Sequence, residues 1–234
     1  MSFRRSPWAL LLMLFLFDSI SFAQETLNIR NASTEYDLTV QVKDCSREDD
    51  QCSGPGRVTV YRKGAKAPFQ VLSLSAIDVY KDRLAFDPGL TKKARKPNDD
   101  RYSSFIFGDF NFDGMKDLAI CNGTNGGYGA QSYTVYLFNS RMNKFDENRQ
   151  MSELTEAGCT GLFSVEAKER LLVVMGKSGS RYHQTEKYRV VANRPVLVEE
   201  IIYDLGDSED FTVVTTRKLV NGKWVKRERK VKNP

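Results

Sequence analysis

Between residues 107 and 120 the chain reads FGDFNFDGMKDLAI, and four oxygen-bearing side chains fall on one tight spacing. Asp109, Asn111, Asp113 and Asp117 stand at the first, third, fifth and ninth positions of a loop. Gly114 takes the sixth, where an oxygen-lined loop must turn sharply. Hard cations such as Ca²⁺ take six to eight oxygens at about 2.3–2.6 Å, and alternating Asp and Asn in a curled loop supplies them. Met115, next in line, offers its backbone carbonyl. The twelfth position is Ile120 rather than a bidentate Glu, so this is not an EF-hand, and Asp117 is expected to close the site. The competing reading is a hairpin of Asx turns that use Asp and Asn for local hydrogen bonds alone. It accounts for one or two of these residues, but not for three carboxylates crowded together without a cation.

A second cluster follows one strand later. Gly123, Gly126, Gly127 and Gly129 surround Tyr128, and Ser132 and Tyr133 open the next apolar run. Glycines remove side-chain bulk and let the backbone approach another molecule closely. A tyrosine at the tip offers apolar area and a hydroxyl at low entropic cost. That composition suits an insertion loop. The alternative is a wide hairpin turn with Tyr128 folded back on its sheet. A cation bound one strand earlier is expected to stiffen this hairpin, and so to hold a recognition loop in place rather than to take part in catalysis.

Other chemistries have little to build on. His183 is the only histidine, which leaves no room for a His-rich metal site and little for a His-based triad. Gly176-Lys177-Ser178-Gly179-Ser180 misses the GxSxG elbow, and Leu171 stands where a P-loop requires its first glycine. Paired carboxylates for glycoside hydrolysis need only meet in space, and no spacing in the sequence singles out a pair. The expectation is a protein without catalytic activity.

The elements that position these loops are strands. Arg57–Tyr61 and Phe69–Leu74 flank a Lys-Gly turn and read as a hairpin, and Tyr133–Phe138 is aromatic and β-branched. Leu171–Met175, Tyr188–Val191, Val196–Ile202 and Phe211–Thr215 are of the same kind. Asn221-Gly222 is a two-residue turn signal between Lys218–Val220 and Lys223–Val225. Asp146–Glu156 has room for a helical turn, and residues 87–101 read as a polar surface loop. Residues 118–139 and 172–193 match at an offset of 54, with Leu118 against Leu172, Tyr128 against Tyr182 and Asn139 against Asn193. A period of about 40–55 residues suits propeller blades. The expected fold is all-β, built of hairpins and meanders, with a small or degenerate propeller-like architecture. The expected division is an N-terminal hairpin segment over 24–100 and a segment over 101–234 carrying both loops.

Arg4 and Arg5 precede an apolar run from Trp8 to Phe17, and Ser21-Phe22-Ala23 places small residues at a cleavage site. Residues 1–23 therefore read as a signal peptide, and no later segment is apolar enough to span a bilayer. An exported protein with four cysteines, at 45, 52, 121 and 159, is expected to form disulfides. Cys45 and Cys52 are the natural local pair, which leaves Cys121 for Cys159. Losing Arg4, Arg5 and Asp18 with the leader takes Lys+Arg from 35 to 33 and Asp+Glu from 30 to 29, a net of +4. Residues Arg217–Pro234 hold eight Lys/Arg against one Glu, so the charge is concentrated there. Nucleic acid is not an expected partner of an exported chain, and alternation with Trp224, Val225 and Val231 suggests a solvated edge strand.

GDFNFDGMKDLAI followed by NGGYGAQSYTVYLFN resembles a family of periplasmic lysozyme-inhibitor-like proteins. These are immunity proteins that protect xanthomonads from lysozyme-like effectors of a bacteria-killing type IV secretion system. The likeness is strong over about residues 103–140 and looser elsewhere. The DxNxDGxxD half alone is shared with FG-GAP repeats of adhesion propellers; the Gly-Tyr-Gly…Ser-Tyr hairpin makes the pairing more specific. The resemblance implies a periplasmic protein that blocks a peptidoglycan muramidase through a loop entering its substrate cleft. On this sequence it implies Asp109, Asn111, Asp113 and Asp117 as calcium ligands. It also implies Gly127, Tyr128, Gly129, Ser132 and Tyr133 as forming or supporting the inhibitory loop. The repeat adds Arg181 and Tyr182 as a second possible contact. A calcium-dependent glycan-binding or adhesion module is the other reading, although such propellers carry the motif several times and this chain carries it once.

Overall fold

The computed structural model describes residues 25–46, 50–90, 102–206 and 210–233. The expected leader, the acidic Glu48-Asp49 of the Cys45–Cys52 loop, and residues 91–101 of the polar loop lie outside them.

Among the described residues, fifteen strands form three sheets in chain order, and one α-helix follows the second sheet. The first sheet is a meander of β1 (Glu25–Ile29), β2 (Tyr36–Cys45), β3 (Gln51–Arg62) and β4 (Gln70–Tyr80). The second runs β5 (Ala85–Phe86), β6 (Phe105–Gly108), β7 (Asp117–Gly123), β8 (Ser132–Asn139) and β9 (Lys144–Glu147). Only its β5–β6 pair is parallel. The third runs β10 (Ser164–Glu166), β11 (Leu171–Ser178), β12 (Tyr182–Val191), β13 (Arg194–Asp204), β14 (Phe211–Val220) and β15 (Lys223–Lys232). The all-β, hairpin-and-meander expectation holds, and among the described residues the sheets close no barrel. β5 lies before residue 100 yet belongs to the second sheet, so the expected segment boundary is crossed by a strand pair.

The middle sheet is buried on both faces. Phe105, Phe107, Leu118, Ile120 and Phe138 pack against Leu38, Val40, Val58, Val60 and Leu72 of the first sheet. Ile106, Ala119, Cys121, Tyr133, Val135 and Leu137 face the other way, onto Met151 and Leu154 of α1 (Arg149–Ala157) and Leu172 and Val174 of β11. Successive side chains point to opposite faces of a strand, so a strand covered on both sides needs an unbroken apolar run. FIF, LAIC and YTVYLF are such runs. In β2 only one face is covered, and burial alternates residue by residue.

Helix α1 lies where a helical turn was expected. Asn148 caps it by accepting the Met151 N–H at 3.0 Å. The Asn221-Gly222 turn forms with φ of 49° and 75°, the left-handed pair that a two-residue hairpin needs. The two repeat copies are the hairpins β7–β8 and β11–β12. Leu118 pairs with Tyr136 and Leu172 with Tyr188, so the second hairpin closes two residues sooner than the offset implies.

Cys45 and Cys52 are bonded, with S–S 2.09 Å. The expected Cys121–Cys159 bond is absent, and both thiols are free. The reason lies in the elements that carry them. Cys121 faces the second core and donates to the Gly123 carbonyl at 3.7 Å, while burial pushes its thiol up to about 12. Cys159 follows α1, half-buried, with its N–H bound to the Met175 carbonyl.

Candidate functional site

The loop between β6 and β7 is built on a two-residue alternation. Phe110 and Phe112 turn into the second core, Phe110 edge-on to Phe163 at 5.6 Å between ring centroids. Asp109, Asn111 and Asp113 turn the other way. Positive φ at Phe112 (63°) and Gly114 (87°) curls the chain between them. Asp109 accepts the N–H groups of Asp113 at 3.0 Å and Gly114 at 2.9 Å. Asp113 accepts the Met115 N–H at 2.8 Å and an amide N–H of Asn111 at 2.9 Å. The Met115 side chain is exposed, which leaves only its backbone for a role in the loop.

Asp117 is fully buried and accepts the N–H groups of Phe110 at 2.7 Å and Phe138 at 2.8 Å. Burial pushes its carboxyl up to about 7. The two N–H groups oppose that shift, and the charges of Asp113 and Asp109 reinforce it. The three carboxylates do not converge in this conformation. Among the described residues, the sole group of three or more Asp, Glu, His or Cys ligand atoms within 4.8 Å of one another is Glu25, Cys45 and Cys52. Two of those sulfurs are locked in the disulfide. The loop nevertheless suits a hard cation in its chemistry, because its donors are all oxygens and the charges of Asp113 and Asp109 oppose the ionisation of Asp117.

The same loop touches all three sheets. Asn111 donates to the side chain of Asn193, in the β12–β13 turn, at 3.0 Å. Arg170, before β11, donates to the Phe112 carbonyl at 2.7 Å and lies over its ring. Lys116 pairs with buried Asp87 at 2.9 Å, and Asp87 accepts the N–H of Thr34, between β1 and β2, at 2.7 Å. Neither Asn193 nor Asp87 nor Arg170 was singled out from the sequence. Of the three, only Asn193 carried a signal, as the repeat partner of Asn139.

The glycine loop stands at the other end of β7. Gly127–Gly129 forms one 3-10 turn closed by Gly129 N–H to the Gly126 carbonyl at 3.1 Å, and Gly127 donates to Gly158 at 2.8 Å. Gly126 has to be a glycine here: a Cβ would sit 2.9 Å from the Ala130 carbonyl oxygen. Tyr128 occupies the left-handed region (φ 58°, ψ 30°) and is 64% exposed. Its hydroxyl accepts the N–H of Gly179, and Lys177 Nζ lies 4.4 Å from its ring centroid. Tyr128 therefore neither stands free nor folds back on its own sheet; it leans on the β11–β12 turn. The two repeat loops meet through Lys177 and Gly179.

Ser132 and Tyr133 are fully buried and can only support the loop. The Ser132 hydroxyl donates to Asn122 at 2.6 Å and accepts from the Asn125 amide at 3.0 Å. The Tyr133 hydroxyl lies 2.9 Å from Gln131 Oε1. Seven residues of β7 separate the two loops, so Asp117 and Tyr128 stand roughly 20 Å apart at about 3.3 Å per residue.

No family model and no curated protein matches the chain. A solved structure does: that of a Xanthomonas type IV secretion system related protein, at 24% identity and a TM-score of 0.67. The likeness covers 90% of this chain and 95% of that one, so the two share a fold over nearly their whole length.

Proposed function

We propose that this protein is an exported inhibitor of a lysozyme-like peptidoglycan hydrolase, acting in the periplasm, with Tyr128 and its flanking glycines as the inserted element. The observation that carries the reading is the state of Tyr128. A large aromatic is held largely exposed, in a backbone region that costs a tyrosine roughly 1–2 kcal/mol, and is steadied by Gly179 and Lys177. An exposed, pre-organised aromatic on a glycine turn is what an anchor for a concave partner requires. A muramidase cleft presents two carboxylates, and the Tyr128 hydroxyl is a donor suited to them. The shared fold with a type IV secretion system related protein agrees with such a setting.

In the same reading the 109–117 loop takes one Ca²⁺ through Asp109, Asn111, Asp113, the Met115 carbonyl and Asp117. The ion supplies a counter-charge beside Asp117, whose ionisation burial and the charges of Asp113 and Asp109 oppose. Its effect reaches Tyr128 through the β7–β8 hairpin, by fixing Asp117 on Phe138 and keeping the two strands in register.

The test is peptidoglycan clearing by a panel of muramidases, with and without the purified protein, in calcium and in chelator. Inhibition of one enzyme that weakens on chelation is the expected result. Lack of inhibition across a panel containing the neighbouring secreted toxins would overturn the reading. Calcium-dependent retention on glycan in the same samples would put an adhesion-type module in its place.

A further inference from the structure

The last hairpin of the third sheet carries a surface that neither loop explains. Strand β15 is the sheet's edge, four strands from β11 and so about 20 Å away at about 4.8 Å per strand. Every one of its residues is exposed. Alternation sorts it into two unlike faces. One face carries Lys223, Val225, Arg227, Arg229 and Val231, with no acid. The register adds Lys218 beside Val225 and Val220 beside Lys223. The other face carries Trp224, Lys226, Glu228, Lys230 and Lys232, where Lys226 pairs with Glu228 at 3.1 Å and Arg217 lies over Trp224.

A basic edge strand has a plain structural use, since lysines discourage pairing with another chain's edge. That use does not call for valines. Val220, Val225 and Val231 are 45%, 40% and 39% exposed, interleaved with cations. Among the described residues Lys223, Arg227 and Arg229 form no ion pair. Unpaired cations around exposed aliphatic side chains, on an exposed edge strand, match an anionic surface with an apolar layer beneath its charges.

We propose that this face of β14–β15 docks the protein on a membrane surface rich in anionic phospholipid. The cations meet the headgroup phosphates and Val225 and Val231 settle at the acyl boundary. The assignment does not depend on what Tyr128 binds.

Flotation with vesicles tests it, using phosphatidylglycerol mixed into phosphatidylcholine against phosphatidylcholine alone. The protein should float only with the anionic vesicles, and less so as salt rises. Arg227→Glu with Arg229→Glu should cut the partition coefficient at least about tenfold. Lys226→Glu with Lys230→Glu, an equal charge change on the opposite face, should cost several-fold less. Val225→Ser with Val231→Ser should weaken binding while leaving its salt dependence in place. Circular dichroism of each variant should be unchanged, because all these side chains are exposed. Equal losses from the two charge-reversed pairs would overturn the face assignment. No flotation, or binding to soluble polyglutamate in preference to vesicles, would overturn the membrane and point to an acidic macromolecule.

Discussion

At the Asp117 end of the β7–β8 hairpin, polar atoms are turned inward and spoken for; at the Tyr128 end, the most prominent side chain is turned out. Asp117 accepts two backbone N–H groups at zero exposure, and its loop holds Asn193 of one neighbouring sheet and, through Lys116 and Asp87, Thr34 of the other. Tyr128 has one hydrogen bond and one cation above its ring, and keeps most of its surface in solvent. A strand can thus be anchored at one end and display a strained residue at the other. The buried end is where substitution should cost stability, and the exposed end is where it should cost binding.

Asp117→Ala should produce the largest effect. It strands the N–H groups of Phe110 and Phe138, and at about 1–3 kcal/mol for each buried unsatisfied donor the loss should be about 3 kcal/mol or more. Urea denaturation measures it. A loss under about 1 kcal/mol would mean that the loop is not the joint between the sheets.

Asp87→Ala should cost about 3 kcal/mol, since removing one partner leaves Lys116 unpaired at the edge of the core. Burial alone would raise the Asp87 carboxyl, but the Thr34 N–H, the Lys116 ammonium and the Gly89 N–H together hold it below its ordinary value. A group depressed in the folded state contributes stability above its unfolded pKa and loses it as pH falls through the folded one. Wild type should therefore lose stability on acidification below about pH 4, and the variant should lose less over the same interval. Parallel acid titrations by circular dichroism would expose an error in that sign.

Tyr128→Ala should leave the melting temperature within a few degrees of wild type while weakening inhibition about thirtyfold or more, as for an interface anchor of about 2 kcal/mol. A large stability loss would move Tyr128 from the displayed end to the structural one. The smallest effect concerns the thiols. Unfolded under non-reducing conditions, the chain should show two reactive thiols. Folded, Cys159 should react while Cys121 stays protected by burial and by a thiol pushed up to about 12. Absence of both would restore the bond expected from the sequence.

Strands β3, β4 and β8 were legible as apolar and β-branched runs, whereas β2, buried on alternate residues, and β6, a three-residue apolar run, were not named from the sequence. The Asn221-Gly222 turn and the Cys45–Cys52 bond were legible because both are local. Cys121 and Cys159 were paired by elimination, and elimination carries no information about which face of β7 a thiol occupies. The oxygen spacing of Asp109 to Asp117 was visible in the sequence. That Asp117 turns onto Phe138 was not, since its partner lies 21 residues away in the next strand. The contact of Tyr128 with Lys177 and Gly179 was not visible: the repeat set the two loops side by side as copies, and only packing of the two sheets brings them together.

The most direct measurement is the inhibition constant of Tyr128→Gly against the target muramidase, beside its melting temperature, both at saturating calcium. Glycine accepts the left-handed backbone at this position without the steric cost a tyrosine carries. The account predicts a fold as stable as wild type and inhibition weakened about thirtyfold or more. Undiminished inhibition by a fully folded variant would contradict it, and would take the displayed end of the hairpin out of the function.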